Sequence, residues 1–335
     1  MSCGFEKAGF NIVAGIDNDK DALETFSYNH PASIALNVDL SKVNFSEKHW
    51  QQLEKKKIDI IIGGPPCQGF SVAGKRDKSD PRNKLYTAYL AMIDFFQPQA
   101  VVLENVPTIL SLYEGEVGRS IIRDFEKHGY KCTSFILRAS DYGVPQMRRR
   151  AFFVGLKNQN SFSPPLPTTL DTPVTTYEAL SDLPELSDSL GGEISAYSKK
   201  ATSPYQILMR KNSRELYNHW AVAHTEKTKE IISLVPDGGN YKDLPKELQH
   251  TRKVNIAWTR MDSQKPCFTI DAGHNHHFHY KANRVPTVRE CARIQSFPDD
   301  FRFLGKKVNQ FRQVGNAVPP LLAEIIAQKL KEYII

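Results

Sequence analysis

The setting of Cys67 is not that of a packing residue. It ends the run Ile58-Asp59-Ile60-Ile61-Ile62-Gly63-Gly64-Pro65-Pro66-Cys67. The β-branched apolar stretch reads as a buried strand, which Gly63-Gly64 stops at a turn that Pro65-Pro66 then stiffens. A cysteine that only fills a core needs no such frame. One held at the carboxyl end of a strand, where open α/β sheets place their ligands, reads as a nucleophile. Glu104 repeats the arrangement: it opens Glu104-Asn105-Val106 directly after an apolar strand predicted over 99–103. If the two strands are neighbours, thiol and carboxyl face one pocket. Further on, Gln146-Met147-Arg148-Arg149-Arg150 runs into a strand over 151–155. The period of two puts Gln146, Arg148 and Arg150 on one side of it. Such a set suits covalent catalysis by a thiolate that nearby positive charge favours, with a carboxyl to exchange protons.

Pro65-Pro66-Cys67-Gln68 resembles the nucleophile loop of the cytosine-C5 DNA methyltransferases, which use S-adenosylmethionine. Glu104-Asn105-Val106, Gln146 to Arg150 and Gln313-Val314-Gly315-Asn316-Ala317-Val318-Pro319-Pro320 follow in the family's order. The resemblance covers nearly the whole chain. It implies an α/β fold, a Rossmann-like mixed sheet with helices on both faces, plus a smaller, irregular target-recognition domain. It implies methyl transfer to C5 of a cytosine flipped out of duplex DNA. Cys67 would add at C6, a protonated Glu104 would neutralise N3, Arg150 would hold O2, and Arg148 with Arg150 would favour the thiolate. For the cofactor it implies Asp17 on the ribose hydroxyls, and Asn18 where many relatives place an adenine-contacting residue. Asp39 and the Leu40 backbone would lie at the adenine edge, with Pro65 and Asn316 also in contact. Taken alone, Asp17 reads equally well as a helix N-cap.

In the family, a strand and a loop of the form Phe-x-Gly-x-Gly-Gly precede a helix like the one at Met1-Ser2-Cys3-Gly4-Phe5-Glu6-Lys7-Ala8-Gly9-Phe10. The chain opens at the residues that follow that loop, which predicts weak cofactor binding and a sheet lacking a central strand. Two rival readings remain: an inactive relative that only binds DNA, and an RNA cytosine methyltransferase, for which Cys267-Phe268-Thr269 resembles a phrase of the tRNA-modifying branch.

The elements that must position these residues follow from periodicity. Strands are predicted over 11–16, 33–38 and 131–137, and helices over 18–30, 46–57 (capped by Ser46) and 115–128. Leu85, Ala88, Tyr89, Met92 and Phe96 form the apolar face of another helix. The loop 73–83 carries four basic residues, suited to phosphate. A Ser/Pro/Thr-rich linker over 158–176 marks a boundary. The resemblance implies that it separates a catalytic and cofactor domain, 1–170, from a recognition domain, 171–299, whose variable part is 177–283 and whose bracing helix lies in 287–298, and that residues 300–335 return to the first domain.

A chain of 335 residues, 40% hydrophobic and 24% charged, with net charge +7, has the composition of a globular protein with a polyanionic partner, here duplex DNA. No apolar run reaches the ~18 residues of a membrane span, and no signal peptide opens the chain. Five scattered cysteines argue for a reducing cytoplasm over a disulfide framework. A cytoplasmic, nucleoid-associated monomer is expected, open to functional pairing with a restriction endonuclease. His274, His276, His277 and His279 lack cysteine or carboxylate partners at ligand spacing, so no metal site is expected.

Overall fold

The computed structural model describes residues 1–66, 81–157, 160–187, 189–249, 258–271 and 277–334, the side chains of 81–83 apart. Cys67, most of the basic loop that follows it, His274 and His276 lie outside the described residues. The chain forms two compact units. The first comprises residues 1–138, 149–166 and 323–335, and the second 139–148 and 167–322. This differs from the division drawn from composition: 139–148 and 300–322 go with the second unit.

In the first unit, α1 (Ser2–Lys7) leads to β1 (Ala14–Asp17), α2 (Lys20–Asn29) and β2 (Ile34–Asn37). Next come α3 (Lys48–Glu54), β3 (Ile60–Gly63), α4 (Pro81–Phe96) and β4 (Ala100–Asn105). α5 (Glu116–Lys127), β5 (Lys131–Arg138) and β6 (Arg149–Leu156) complete it, apart from its C-terminal contribution. β3, β4, β6 and β5 form a mixed sheet in that order, with β3 parallel to β4 and β6 antiparallel to both its neighbours. β1 and β2 pair in parallel as a separate ribbon. Among the described residues, β1 and β3 each have a strand partner on one edge only. Both are half-buried, whereas the interior of β4 is sealed. Trp50, Tyr89, Ile93, Val101, Leu103, Ile121, Phe125 and Phe153 build the core, against which Ile16, Ile34 and Ile61 pack.

Local chemistry sets the element ends. Asp19 caps α2, accepting from the amides of Asp21 (3.0 Å) and Ala22 (3.2 Å). Ser46 does not cap α3: its amide donates to Asn44 Oδ1, and the helix begins after Glu47 without a side-chain cap. The competing local turn at Asn44 takes the chain first.

The second unit holds α6 (Thr176–Leu180), β7 (Gly191–Ser195), α7 (Pro204–Arg210), β8 (Leu216–Trp220) and α8 (Glu226–Ser233). β9 (Thr259–Arg260), β10 (His277–Phe278), α9 (Val288–Ile294) and α10 (Lys307–Asn316) follow. α11 (Pro320–Ile334) carries the chain back into the first unit. Capping boxes start α6, α7 and α9. Every residue of α9 is buried, including Arg289, Glu290 and Arg293. Each is satisfied: Arg293 by Asp299 and Asp182, Glu290 by Arg284 at 2.7 Å, and Arg289 by the carbonyls of Tyr217 and Phe301. These bonds tie α9 to Asp182, Tyr217, Arg284, Asp299 and Phe301. A smaller cluster, Ile231, Ile232, Val235, Leu244, Trp258, Phe278 and Val285, forms a second core around α8.

Candidate active site

Parallel pairing of β3 with β4, Gly63 opposite Leu103, brings the Gly63-Gly64-Pro65 turn and Glu104-Asn105 to the same end of the sheet. Asn105 ties the two together, its Nδ2 donating to the carbonyl of Pro65 at 3.0 Å. Glu104 is 9% exposed. Its Oε1 accepts from Arg150 Nε at 2.7 Å, and Arg150 comes from β6, where Ala151 lies opposite Asn105. Arg150 also donates through Nη1 to the carbonyl of Arg149. Burial pulls the Arg150 guanidinium below its ordinary range, and Glu104 opposes that pull. The sequence reading placed a protonated Glu104 here; the structure sets the Arg150 guanidinium beside it. Gly64 is part of the same geometry, because a Cβ there would stand 3.0 Å from Glu104 Oε2.

Asp17 and Asn18 lie exposed at the carboxyl end of β1. Asp39 lies just past β2, and the pairing of Asp17 with Asn37 sets both carboxylates at the same end of adjacent parallel strands. The N-cap role left open for Asp17 belongs to Asp19, whose own amide donates to Asp17 Oδ1 at 2.9 Å. Asp39 does cap, accepting from the Ser41 amide at 3.0 Å at the head of a short 3-10 turn that contains Leu40. Hydrogen bonds from Ser41 hold its carboxyl below the usual range.

The remaining site residues fall in the second unit. Asn316 is the exposed last residue of α10. Arg148 is buried and donates to the carbonyls of Ile270 (3.1 Å) and Gly315 (2.8 Å). Thus Glu104, Asn105, Pro65 and Arg150 come together, while Arg148, two residues from Arg150, serves backbone carbonyls in the other unit. Sequence reasoning passed over Gly64 as a neighbour of the carboxylate and Gln295 as a buried hub. The only signal for either was membership of a motif already named.

Of the described cysteines, Cys132 is pushed up to about 12 by burial, and burial pushes Cys267 and Cys291 up as well. None of these three thiols is poised as a thiolate. His277 packs on Phe268, and His279 stands beneath Glu290 with Nε2 at 3.6 Å from Oε1. Among the described residues no three side chains are grouped to hold a metal.

Known proteins share this pattern. The family model of C-5 cytosine-specific DNA methylases matches residues 1–332. The Type II methyltransferase M.DdeI of Desulfomicrobium norvegicum is 37% identical, over 99% of this chain and 86% of its own. The Type II methyltransferase M1.HphI of Haemophilus parahaemolyticus is 36% identical, over 98% and 82%. A crystal structure of a prophage-encoded DNA modification methyltransferase (E. coli) superposes with a TM-score of 0.80 at 28% identity, over 99% of this chain and 95% of that one. The DNMT2 structure from Spodoptera frugiperda, at 16% identity and a TM-score of 0.63, shares the fold alone. With its mixed Rossmann-like sheet and a family match running almost from end to end, this chain belongs to the C-5 cytosine-specific DNA methylases.

Proposed function

We propose that this chain methylates C5 of a cytosine in a specific duplex DNA sequence, with Cys67 as nucleophile and Glu104, Arg150 and Asn105 as the groups that hold and activate the base. The observation that carries the reading is the Glu104–Arg150 pair set beside the Gly64-Pro65 turn that leads to Cys67.

Cytosine C5 is a weak nucleophile. Bonding of the Cys67 thiolate to C6 moves the electrons of the 5,6 double bond toward C5 and the ring. The developing charge at N3 needs a proton, and Glu104 is the group to bring it. In the free chain Arg150 pairs with Glu104. A base whose O2 draws on the Arg150 donors weakens that pairing and raises the carboxyl's proton affinity at the moment N3 requires it. After substitution at C5, solvent water takes the C5 proton, N3 returns its proton to Glu104, and departure of the thiolate restores the double bond. Asn105 keeps the Pro65 backbone, and so the nucleophile's turn, fixed against β4.

S-adenosylmethionine is the cofactor of this reading, and when bound it supplies an electrophilic methyl group. The donor set fits it: two solvent-reaching carboxylates at the ends of adjacent strands suit a ribose diol and an amino group. Asp17 would hold the ribose, Asp39 with the Leu40 backbone the adenine edge, and Asn18, Pro65 and Asn316 would complete the contacts. The base must leave the stack, at a cost of a few kcal/mol, and the basic residues after Cys67 suit the phosphates around it. The second unit would read the sequence, chiefly through 177–283. We read the chain as a cytoplasmic, nucleoid-associated monomer and, like proteins with Type II names, as the modifying partner of a restriction endonuclease.

Duplex DNA carrying 5-fluorocytosine tests the chemistry, because fluorine cannot leave as the proton does. Wild type should form a complex stable to denaturation and Cys67→Ser should not. Trapping that survives Cys67→Ser, or trapping on tRNA and not on plasmid DNA, overturns the assignment.

A further inference from the structure

Three buried side chains of the second unit form a closed hydrogen-bond circuit that the chemistry above does not use. Gln146 accepts from the Ile270 amide at 3.0 Å and donates to the Ile294 carbonyl and to Gln295 Oε1, at 3.2 and 3.1 Å. Gln295 donates onward to the carbonyls of Val314 (2.8 Å) and Ala317 (3.3 Å). Arg148 closes the circuit, spanning the carbonyls of Gly315 and Ile270. All three side chains are at most 1% exposed. The end of α10 is where they converge: three carbonyls flanking Asn316, at Val314, Gly315 and Ala317, would otherwise meet only apolar packing or their own helix.

We infer that Gln295, acting with Gln146 and Arg148, positions the Val314–Ala317 turn so that Asn316 is presented to the cofactor. This rests on the reading of Asn316 as a cofactor contact. The chemistry favours it. A helix end that stops at an exposed asparagine can fray, and a fixed asparagine requires its flanking carbonyls to be held by groups outside the helix. A glutamine amide reaches both Val314 and Ala317 at once, and the guanidinium fork takes Gly315 between them. Ile270 is held at both its amide and its carbonyl by the same circuit, so the segment 267–271 is fixed by the residues that fix the turn.

The test compares Gln295→Met, which keeps shape and loses the amide, with Arg148→Lys, Asn316→Ala and a control, Gln206→Met. Gln206 is an equally buried glutamine of the same unit that serves the cap of α7. Hydrogen exchange of the full chain without cofactor reads the turn directly. Gln295→Met should speed exchange of the 314–318 amides about tenfold or more, the loss expected for one or two unpaired buried carbonyls. Calorimetry with S-adenosylmethionine should then show Kd raised about tenfold, and kinetics a raised KM with kcat and DNA affinity kept. Arg148→Lys, holding one carbonyl in place of two, should fall between Gln295→Met and wild type. Unchanged exchange at 314–318 overturns the inference. So does faster exchange with undiminished affinity while Asn316→Ala binds weakly, and so does an equal loss in Gln206→Met, which would mark general loosening. If Asn316→Ala itself binds normally, the cofactor reading of this turn fails, and the inference with it.

Discussion

At Gly64 the missing side chain leaves room for the Glu104 carboxylate. A Cβ there would stand 3.0 Å from Glu104 Oε2, closer than ordinary contact, and the flexible end of the glutamate would yield first. Gly64→Ala should therefore leave the thermal midpoint close to wild type while lowering kcat about tenfold, since misplacing a catalytic group by a fraction of an ångström carries a cost of this order. A variant with full turnover, or one that fails to fold, would contradict that account. The carboxylate itself was legible in the sequence, because an acid at the end of an apolar strand has few structural reasons to be there. The pairing partner Arg150 was legible too, from its place two residues beyond Arg148 at the mouth of a strand. Where Arg148 goes was not. Its acceptors lie 122 and 167 residues away along the chain, and no local pattern announces a carbonyl at that remove.

Among the elements, the loop 279–285 and α9 invite the plainest experiment. His279 Nδ1 accepts from the amides of Lys281 and Ala282, so that nitrogen must stay unprotonated, and burial pulls the imidazole down to about 4 against the attraction of Glu290. Arg284, Arg260 and His219 also face it and push the same way. Between that value and the ordinary 6.5 the unfolded chain binds the extra proton, so stability is full above about 6.5 and falls as the pH drops toward 4. Burial depresses His219 and His30 in the same sense. For His279 alone the loss is on the order of 3 kcal/mol. His279→Asn should flatten the slope of denaturation midpoint against pH above 4.5, before most carboxylates titrate; an unchanged slope would assign it to other groups. Helices and strands with strong periodicity were readable from the sequence, as at α2 and α5. The cap at Ser46 was misread because Asn44 claims its amide, and α10 went unseen because its Lys-Val-Asn-Gln-Phe-Arg pattern carries little apolar signal.

At the scale of the whole molecule, the chain exchanges its parts less freely than the linker suggested. Replacing 177–283 with the same region of a relative should change the methylated sequence. But α6 lies in that region, and Arg293 of α9 holds both the Ala179 carbonyl and Asp182. A graft cut at 177 leaves this buried arginine with Asp299 alone, a destabilising change. A graft of 222–249, which leaves the partners of Arg293 and Glu290 in place, should move specificity at a smaller cost in melting temperature. Bisulfite sequencing and a thermal melt read the two effects separately, and an unchanged target would move recognition elsewhere. The crossing from one unit to the other at 166–167 falls inside the linker over 158–176. Composition did not reveal that the chain crosses between units more than once, because that depends on pairings between distant segments.

The crossing also bears on the order in which the protein can be made. Phe162 packs at a tilt against Tyr333, and the Ser163 amide donates to the Tyr333 hydroxyl across 170 residues of sequence. On the ribosome, residues 167–322 of the second unit emerge between those partners. At about 5–20 residues per second, the first unit waits roughly 10–30 s with the seat of its last helix bare. During that interval the nascent chain shows apolar surface that the finished protein never exposes, and the second unit has time to fold first. A stall or a stop codon anywhere in the second unit thus releases a chain whose first unit lacks its closing helix, and such products become clients of chaperones and proteases.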